Sequence, residues 1–92
     1  MRVQVRYFAA LREALGPGEA LSWSPDGPSA AEAPATVGQL RAWLSGRSPA
    51  HAHLLGEAAR GVRSACNQEL CPPDLRLQDG DEVAFFPPVT GG

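Results

Sequence analysis

The residues whose types and spacing most clearly suggest a chemical role lie at the end of the chain, in the run GDEVAFFPPVTGG from Gly80 to Gly92. Two glycines close this run, and a residue without a Cβ can enter a narrow channel where any side chain would clash. The α-carboxyl of Gly92 has a pKa of about 3.5 and is ionised at pH 7. Because a carboxylate is a poor electrophile, it carries another group only after activation, for instance as an acyl-adenylate. The end of the chain therefore predicts a carboxyl group that a separate enzyme activates.

The rest of the sequence contains no recognisable catalytic machinery. It has no P-loop and no glycine-rich phosphate loop, and neither Cys66 nor Cys71 has an adjacent base with which to form a nucleophilic dyad. His51 and His53 diverge on a helix and have no third ligand nearby, so we expect no metal site. These features predict a domain that is carried as a substrate and is not an enzyme on its own.

The two cysteines have the C-x₄-C spacing of plant-type ferredoxins. A [2Fe–2S] cluster needs four thiolates, however, and the sequence contains only two cysteines, Cys66 and Cys71. In an extended segment they would lie roughly 16 Å apart, whereas a disulfide needs Cα atoms within about 7 Å. We therefore exclude an electron carrier and expect two reduced thiols, with Cys66 packed in a strand.

The composition predicts one small cytoplasmic domain. Ninety-two residues with 43% apolar content are enough for a single thin core. A net charge of −2 provides no basic stripe for nucleic acid, no apolar run approaches the roughly 20 residues of a membrane span, and the first residues lack the apolar core of a signal peptide. All eight basic residues are arginine, so no lysine of this chain can be acylated by an activated carboxyl group.

Hydrophobic periodicity predicts four strands and one main helix. The strands are expected over 2–7, 19–23, 62–70 and about 82–86. Thr36 at the N-cap and Gln39 three residues later form a capping box for the main helix. A short helix that ends at Gly16 follows the first strand, and residues 49–61 are compatible with another short helix.

The order of these elements predicts an α+β fold. The two terminal strands are distant in sequence and strongly apolar, so we expect them to pair at the centre of a mixed sheet. A main helix packed across one face of such a sheet is the ubiquitin-like β-grasp arrangement. This predicts one domain over 1–86, with a flexible loop insertion over 24–35 and a protruding arm over 87–92. The predicted core lies under the helix and consists of Val3, Val5, Tyr7, Val37, Leu40, Leu44, Val83 and Phe85.

The prolines near the end mark where the sheet is expected to stop. Pro87 and Pro88 have no backbone donor, so strand pairing cannot continue past Phe86. Residues 87–92 should then project as a semi-stiff arm of roughly 20 Å, at about 3.3 Å per residue. Phe8 and Phe86 have no obvious core position, and clustered exposed aromatics indicate a partner surface. For Phe8 the alternative is that it caps the core beneath the short helix.

Four segments of the sequence carry a family resemblance: YFAALREALG, TVGQLRAWL, ACNQEL and, above all, LQDGDEVAFFPPVTGG. With them the chain resembles the small subunits of molybdopterin synthase, a family of ubiquitin-like sulfur-carrier proteins. The resemblance covers nearly the whole chain except about residues 25–35. A bare Gly-Gly end is shared by every ubiquitin-like carrier, whereas the full run from Asp79 to Gly92 is far more specific.

The resemblance implies a sulfur-carrying cycle in molybdenum cofactor biosynthesis. An adenylating enzyme similar to ubiquitin-activating enzymes uses ATP to convert the Gly92 carboxylate to an acyl-adenylate. Sulfur from a cysteine persulfide of a sulfurtransferase replaces AMP and leaves a thiocarboxylate. The large synthase subunit, in an expected heterotetramer, then takes up the tail, and sulfur passes to cyclic pyranopterin monophosphate to form the molybdopterin dithiolene. The chain itself is expected to bind no cofactor, since ATP is bound by the activating enzyme.

The same resemblance implies the site residues. The covalent site is Gly92, and the residues that enter the partner's active site with it are Val89, Thr90 and Gly91. The residues expected to make apolar contacts with the large subunit and the activating enzyme are Phe8, Phe86, Pro87 and Pro88. The catalytic lysines and the pterin site belong to the large subunit, so none is assigned to this chain.

Two other functions share the same activated glycine. A sulfur carrier for another pathway, such as thiamine-type thiazole synthesis, has the same fold and tail. A ubiquitin-like modifier that forms isopeptide bonds with lysines of other proteins uses the same chemistry at its terminal carboxyl. Only the resemblance favours the molybdopterin branch, and both alternatives stay open at this point.

Overall fold

The computed structural model describes residues 1–23, 33–56, 59 and 61–87 of the chain. The strands and helices within these residues are, in chain order, β1 (Arg2–Tyr7), α1 (Ala9–Leu15), β2 (Gly18–Ser22), α2 (Val37–Ser45), α3 (Pro49–Leu55), β3 (Arg63–Cys66), β4 (Glu69–Leu70) and β5 (Glu82–Phe86). The predicted loop over 24–35 and the predicted arm over 87–92 lie mostly outside the described residues, so both stay predictions.

The strands form one mixed sheet in the order β2-β1-β5-β3-β4. The first and last strands, β1 and β5, run parallel at its centre, with Val5 opposite Val83 and Tyr7 opposite Phe85. All other pairs of neighbouring strands are antiparallel: β2 with β1, β3 with β5, and β4 with β3. The predicted central pairing of the terminal strands and the predicted β-grasp arrangement are therefore confirmed.

One face of the sheet is covered by the helices and holds the core. In β1 exposed and buried residues alternate strictly, as a half-buried strand requires. All eight core residues predicted from the sequence are at most 2% exposed. The same cluster also contains Leu11 of α1, Leu55 of α3, Cys66 of β3 and Leu77 from the connection before β5. The short helices thus contribute side chains to the core formed by the main helix α2 and the terminal strands.

The main helix begins where the capping box predicts. The side-chain oxygen of Thr36 accepts a hydrogen bond from the backbone N–H of Gln39 at 3.2 Å and so satisfies one of the free donors of the first turn. The reciprocal bond is displaced by one residue, because the side chain of Gln39 accepts from the N–H of Ala35 at 2.8 Å. The predicted boundary of α2 is therefore confirmed, with a variant of the expected hydrogen bonding.

The ambiguous segment after α2 is the helix α3, over Pro49–Leu55, with Ser48 as its N-cap. The side chain of Arg41 in α2 holds the end of α3 and the start of β3 together. Its guanidinium donates to the carbonyl oxygens of Leu55 at 2.8 Å and Val62 at 3.0 Å. A single half-buried cation thus orients the connection that leads into the sheet.

The prediction of one continuous strand over 62–70 is wrong. The chain turns back after Cys66, and Asn67 and Gln68 form the turn between β3 and β4, with φ values of 52° and 71°. Two consecutive positive φ angles are what a two-residue type I′ hairpin needs, and asparagine favours that conformation. Alternation of side chains alone cannot distinguish such a hairpin from a single longer strand.

The buried carboxylate of Asp81 ties this hairpin turn to β5. Asp81 is only 9% exposed, and its two oxygens accept from the side-chain amide of Asn67 at 3.0 Å and from the backbone of Gln78 at 2.8 Å. Asn67 in turn accepts from the backbone N–H of Glu82 at 3.0 Å. These hydrogen bonds join the hairpin turn to the residues just before β5 and to the first residue of β5. They therefore hold the hairpin that contains the short strand β4 in place beside β5.

Candidate functional site

The face of the sheet opposite the helices is uncovered in the described residues, and we call it the open face. The register of the five strands puts alternate residues on it. Its strand residues are Arg2, Gln4, Arg6, Ala20, Ser22, Arg63, Ala65, Leu70, Glu82, Ala84 and Phe86. Since the same strands fill the core with their other side chains, this face is held as rigidly as the core itself.

Five apolar residues meet on the open face and form what we call the apolar patch: Phe8, Ala65, Leu70, Ala84 and Phe86. They line a shallow depression of about 510 Å³, together with the polar side chains of Arg6, Gln68 and Glu82. Phe8 and Leu70 are exposed, Ala84 and Phe86 are half-buried, and Ala65 is buried at the floor. Large apolar residues that are exposed together in this way mark partner-binding surfaces more often than scattered ones do. The patch therefore has the chemistry of a protein-docking site.

The sheet itself positions Phe8 in the patch. Its backbone N–H donates to the carbonyl of Phe85 at 3.2 Å, so the chain stays in register with β5 for one residue beyond β1. Helix α1 begins only at Ala9, whose φ is 55°. As a result Phe8 lies on the same side of the sheet as Phe86 and is 41% exposed. The alternative in which Phe8 caps the core beneath α1 does not describe this geometry.

Leu70 belongs to the apolar patch but was not among the partner-binding residues predicted from the sequence. It is 68% exposed, more than any other large apolar residue described, and lies opposite Ala65 in the β3–β4 hairpin. Treated as the end of one long strand, it had no assigned role. The signal for its position was the Asn-Gln pair two residues earlier, which forms the hairpin turn.

The described part of the tail starts at the edge of the patch. β5 ends at Phe86, opposite Arg63 of β3, and Pro87 follows with its side chain half-buried. Of the predicted site residues the structure therefore brings together Phe8, Phe86 and Pro87. The remaining ones, Pro88, Val89, Thr90, Gly91 and Gly92, lie outside the described residues.

The two cysteines lie apart from the open face. Cys66 is 8% exposed and belongs to the core, while Cys71 is half-buried and follows β4; both are free thiols. Burial raises the pKa of Cys66 to about 11, and the nearby Asp81 carboxylate and Cys71 contribute to the rise. Since the thiolate is the nucleophile, a thiol that stays protonated at neutral pH is unsuited to sulfur chemistry of its own.

The described residues also contain no candidate metal site, in the sense of three or more histidine, cysteine, aspartate or glutamate side chains placed to share an ion. None of the helices in the described ranges has the length and apolar character needed to span a bilayer. What the geometry offers is therefore a docking surface beside the start of the tail.

The sequence matches a family model over residues 5–92, and that family is described as the ThiS family. The match thus includes every strand and helix of the structure except the first residues of β1. The chain belongs to the ThiS family.

Proteins that are similar to this ThiS family chain include sulfur carriers and a modifier. It is 40% identical to the molybdopterin synthase sulfur carrier subunit of Escherichia coli (strain K12), over 98% of this chain and 99% of that protein. A solved structure from Helicobacter pylori 26695, a complex of subunits 1 and 2 of molybdopterin-converting factor, contains a chain with 25% identity and a TM-score of 0.65, each chain covered completely. Small archaeal modifier protein 1 of Haloferax volcanii has 27% identity and a TM-score of 0.70, covering 96% of this chain and 98% of that one.

The difference in environment between the two thiols predicts a large difference in their alkylation. With its pKa at about 11, Cys66 holds roughly a hundredfold less thiolate at pH 8 than a thiol of pKa 9. We expect iodoacetamide to modify Cys71 first in the native protein. The rate at Cys66 should still be rising with pH above pH 9, because its thiol loses the proton only near pH 11. Peptide mass spectrometry after timed quenching measures both rates.

Unfolded protein in urea is the control, since both thiols should then react alike. Equal rates at Cys66 and Cys71 in the native protein would contradict the burial and the raised pKa of Cys66.

Proposed function

We propose that this chain is the sulfur carrier of molybdenum cofactor biosynthesis, a non-catalytic subunit whose terminal Gly92 transports one sulfur atom at a time. The observation that carries the proposal is the similarity to a sulfur carrier subunit of molybdopterin synthase over nearly the full length of both proteins. The geometry supports it, because a carrier needs a docking surface and a reactive end that extends from it. Both features meet at Phe86.

In this proposal the covalent steps are confined to Gly92. An adenylating enzyme transfers the adenylyl group of ATP to the carboxylate and releases pyrophosphate. The persulfide of a sulfurtransferase then attacks the acyl carbon, so that a C–S bond forms as the bond to AMP breaks. A thiol releases the thiocarboxylate from the resulting acyl disulfide by disulfide exchange. In the first step the Gly92 carboxylate is the nucleophile that attacks the α-phosphorus of ATP. In the later steps the chain supplies the acyl group, and its partners supply the nucleophiles and the proton transfers.

Sulfur donation takes place in the large subunit of molybdopterin synthase. There the thiocarboxylate passes its sulfur to cyclic pyranopterin monophosphate, and water restores the Gly92 carboxylate. Two rounds complete the dithiolene of molybdopterin. The solved complex of two molybdopterin-converting factor subunits supports a large-subunit partner. The adenylating enzyme, the sulfurtransferase, the heterotetramer and a cytoplasmic location are parts of the same proposal.

The tail residues fit this role by their chemistry. Val89, Thr90, Gly91 and Gly92 are small, and a narrow entrance to an active site accepts a glycine end that larger residues would block. Pro87 and Pro88 both restrict the backbone conformations of the free chain. This lowers the backbone entropy that is lost when the tail becomes ordered in a partner. Apolar contacts of Phe8, Leu70 and Phe86 then hold the domain while the tail reaches the reaction centre.

A ubiquitin-like protein modifier is the second candidate, and the similarity to small archaeal modifier protein 1 favours it. Both roles begin with the same acyl-adenylate and differ in the acceptor, which is a sulfur atom for a carrier and an amine for a modifier. Because the chain has no lysine, it cannot build lysine-linked chains of its own copies. A modifier role would be restricted to single additions to other proteins.

A sulfur carrier for thiamine-type thiazole synthesis is the remaining alternative. It would use the same tail and the same activation, so the described geometry is equally suitable for it. The relative that matches this chain over 98% of its length is named for molybdopterin synthase, which favours that branch.

Intact mass tests the proposed chemistry directly. After incubation with the adenylating enzyme, ATP and a persulfide donor, the protein should gain about 16 Da, the replacement of one oxygen by sulfur. Deletion of Gly92 should abolish this gain, because the terminal carboxyl then lies on Gly91 and stops about 3.3 Å short of the enzyme's reaction centre. The melting temperature should stay unchanged, since the described core ends at Phe85 and the last strand at Phe86.

Two results would count against the carrier. An unshifted mass together with amine-linked adducts on other proteins would favour the modifier. A large fall in melting temperature after deletion of Gly92 would mean that the tail is part of the folded core.

The apolar patch predicts a second result, a loss of partner affinity without an equal loss of stability. Replacing Phe86 by alanine should weaken binding to the large subunit by about tenfold or more, because buried aromatic anchors dominate interface energies. Phe8→Ala should act in the same direction. Binding is measured by titration calorimetry, and stability by urea unfolding of the same preparations.

Trp43→Ala is the matched control, since Trp43 is an aromatic in helix α2 whose exposure, 46%, is similar to the 41% of Phe8. Its ring packs under the guanidinium of Arg47 at 5.1 Å and lies outside the patch. If Trp43→Ala weakened binding as much as Phe86→Ala, the open face would not be the docking surface.

A further inference from the structure

The open face carries a charge opposite in sign to that of the whole chain. Its strand residues include three arginines, Arg2, Arg6 and Arg63, and one acidic residue, Glu82. The chain as a whole has ten acidic and eight basic residues. Positive charge is thus concentrated on the face that holds the apolar patch.

The charge of Arg6 is partly balanced within the protein. Arg6 lies opposite Ala84 in the parallel register of β1 and β5, so it lines the depression of the patch. Its guanidinium lies 3.6 Å from the carboxylate of Glu82, and about half of its side chain is exposed. An exposed pair of this kind contributes little stability, and it leaves the guanidinium free to bind a second acceptor.

For Arg63 the described residues provide no such balancing carboxylate. Arg63 is exposed and lies opposite Phe86, at the point where β5 ends and the tail begins. Among the described residues no carboxylate lies within 4.0 Å of its guanidinium, since the ion pairs there join Arg6 to Glu82 and Arg47 to Glu19. The cation nearest to the start of the tail is therefore available to a partner.

A protein that covers the patch and extends past Phe86 also covers these two arginines. Arg6 lines the depression itself, and Arg63 adjoins Phe86 at its edge. Removing water from an unpaired charge is costly, and the cost is offset only where the partner supplies a carboxylate or several hydrogen-bond acceptors. The guanidinium suits such a contact, because its planar donors match a carboxylate with two parallel hydrogen bonds.

We propose that the large subunit of molybdopterin synthase presents acidic side chains around an apolar centre, and that these bind Arg63 and Arg6 of the open face. In this arrangement the apolar patch provides most of the affinity, and the arginines select the correct partner and speed its association. Arg63 is the main determinant, because no carboxylate of the described residues pairs with it, whereas Arg6 is paired with Glu82. The inference rests on the proposed function, which supplies the identity of the partner.

The same charges disfavour two other occupants of the face. A second copy of this chain would bring a second set of arginines against the first, and like charges in contact oppose association. Nucleic acid would meet a chain with a net charge of −2 and only a few arginines on one face. An acidic protein surface is the occupant that fits both the apolar patch and its charged rim.

The test is the association rate of Arg63→Glu with the purified large subunit of the same organism, followed by stopped-flow fluorescence. At about 0.1 M NaCl the variant should associate at least about fivefold more slowly than the unchanged chain. At about 1 M NaCl, where the screening length falls from about 10 Å to about 3 Å, the difference should almost vanish. Arg63→Gln should lie between the two, since it removes the charge without reversing it.

Arg76→Glu is the matched control, because Arg76 is exposed and its backbone bridges to Thr36, outside the depression. It makes the same change in net charge away from the open face and should leave the rate nearly unchanged. Melting curves show whether each variant is folded. If Arg63→Glu does not fold, the test is made with Arg63→Gln.

The outcomes separate this inference from the function on which it rests. If Arg63→Glu and Arg76→Glu slow association equally, or if the effect of Arg63→Glu persists at 1 M NaCl, the inference is overturned while the carrier function stands. If the unchanged chain does not bind the large subunit at all, the proposed function fails, and the inference fails with it.

Discussion

Parallel hydrogen bonding between β1 and β5 joins the first and last strands of the fold at the centre of the sheet. The pairing closes a loop of more than 70 residues, which costs chain entropy that local contacts cannot offset. Apolar pairs supply the compensation on the helix side, where Val5 lies opposite Val83 and Tyr7 opposite Phe85, all at most 1% exposed. Every other element is added to this central pair, and the position of the tail depends on it.

The consequence for function is a strict division between the two faces. The three helices of the described residues pack on the side that carries the valines, Tyr7 and Phe85, and no other described element covers the opposite side, which can therefore contact a partner. Because β5 is an inner strand, it ends between two neighbouring strands at one end of the sheet, with Phe8 on one flank and Arg63 on the other. The domain thereby presents a rigid contact area at the exact place where the chain leaves the sheet. A carrier that must visit several enzymes needs this separation between a stable body and a chemically active end.

Much of this arrangement could be predicted from the sequence, because it depends on local patterns. Alternation in β1 and β5 indicated the central strands, Thr36 indicated the start of the main helix, and the shared periodicity indicated the core. The β3–β4 hairpin could not be recognised in the same way. It depends on positive φ angles at Asn67 and Gln68 and on hydrogen bonds to Asp81, which lies more than ten residues away. The position of Leu70 follows from that hairpin, and the position of Arg63 follows from the register of β3 on β5, so neither residue was assigned to the candidate site from the sequence. For Gly92 and the four residues before it, the prediction stands on chemistry and family membership.

The central claim is that the terminal glycine of this chain delivers sulfur to the molybdopterin precursor. The most direct measurement is a single-turnover reaction of the thiocarboxylated chain with the large subunit and cyclic pyranopterin monophosphate, followed by intact mass and by product analysis. The account predicts that the chain loses about 16 Da as sulfur is replaced by oxygen, and that two chains are consumed for each molybdopterin formed. A thiocarboxylated chain that keeps its mass in this mixture while it supplies sulfur to thiazole synthesis would contradict the account.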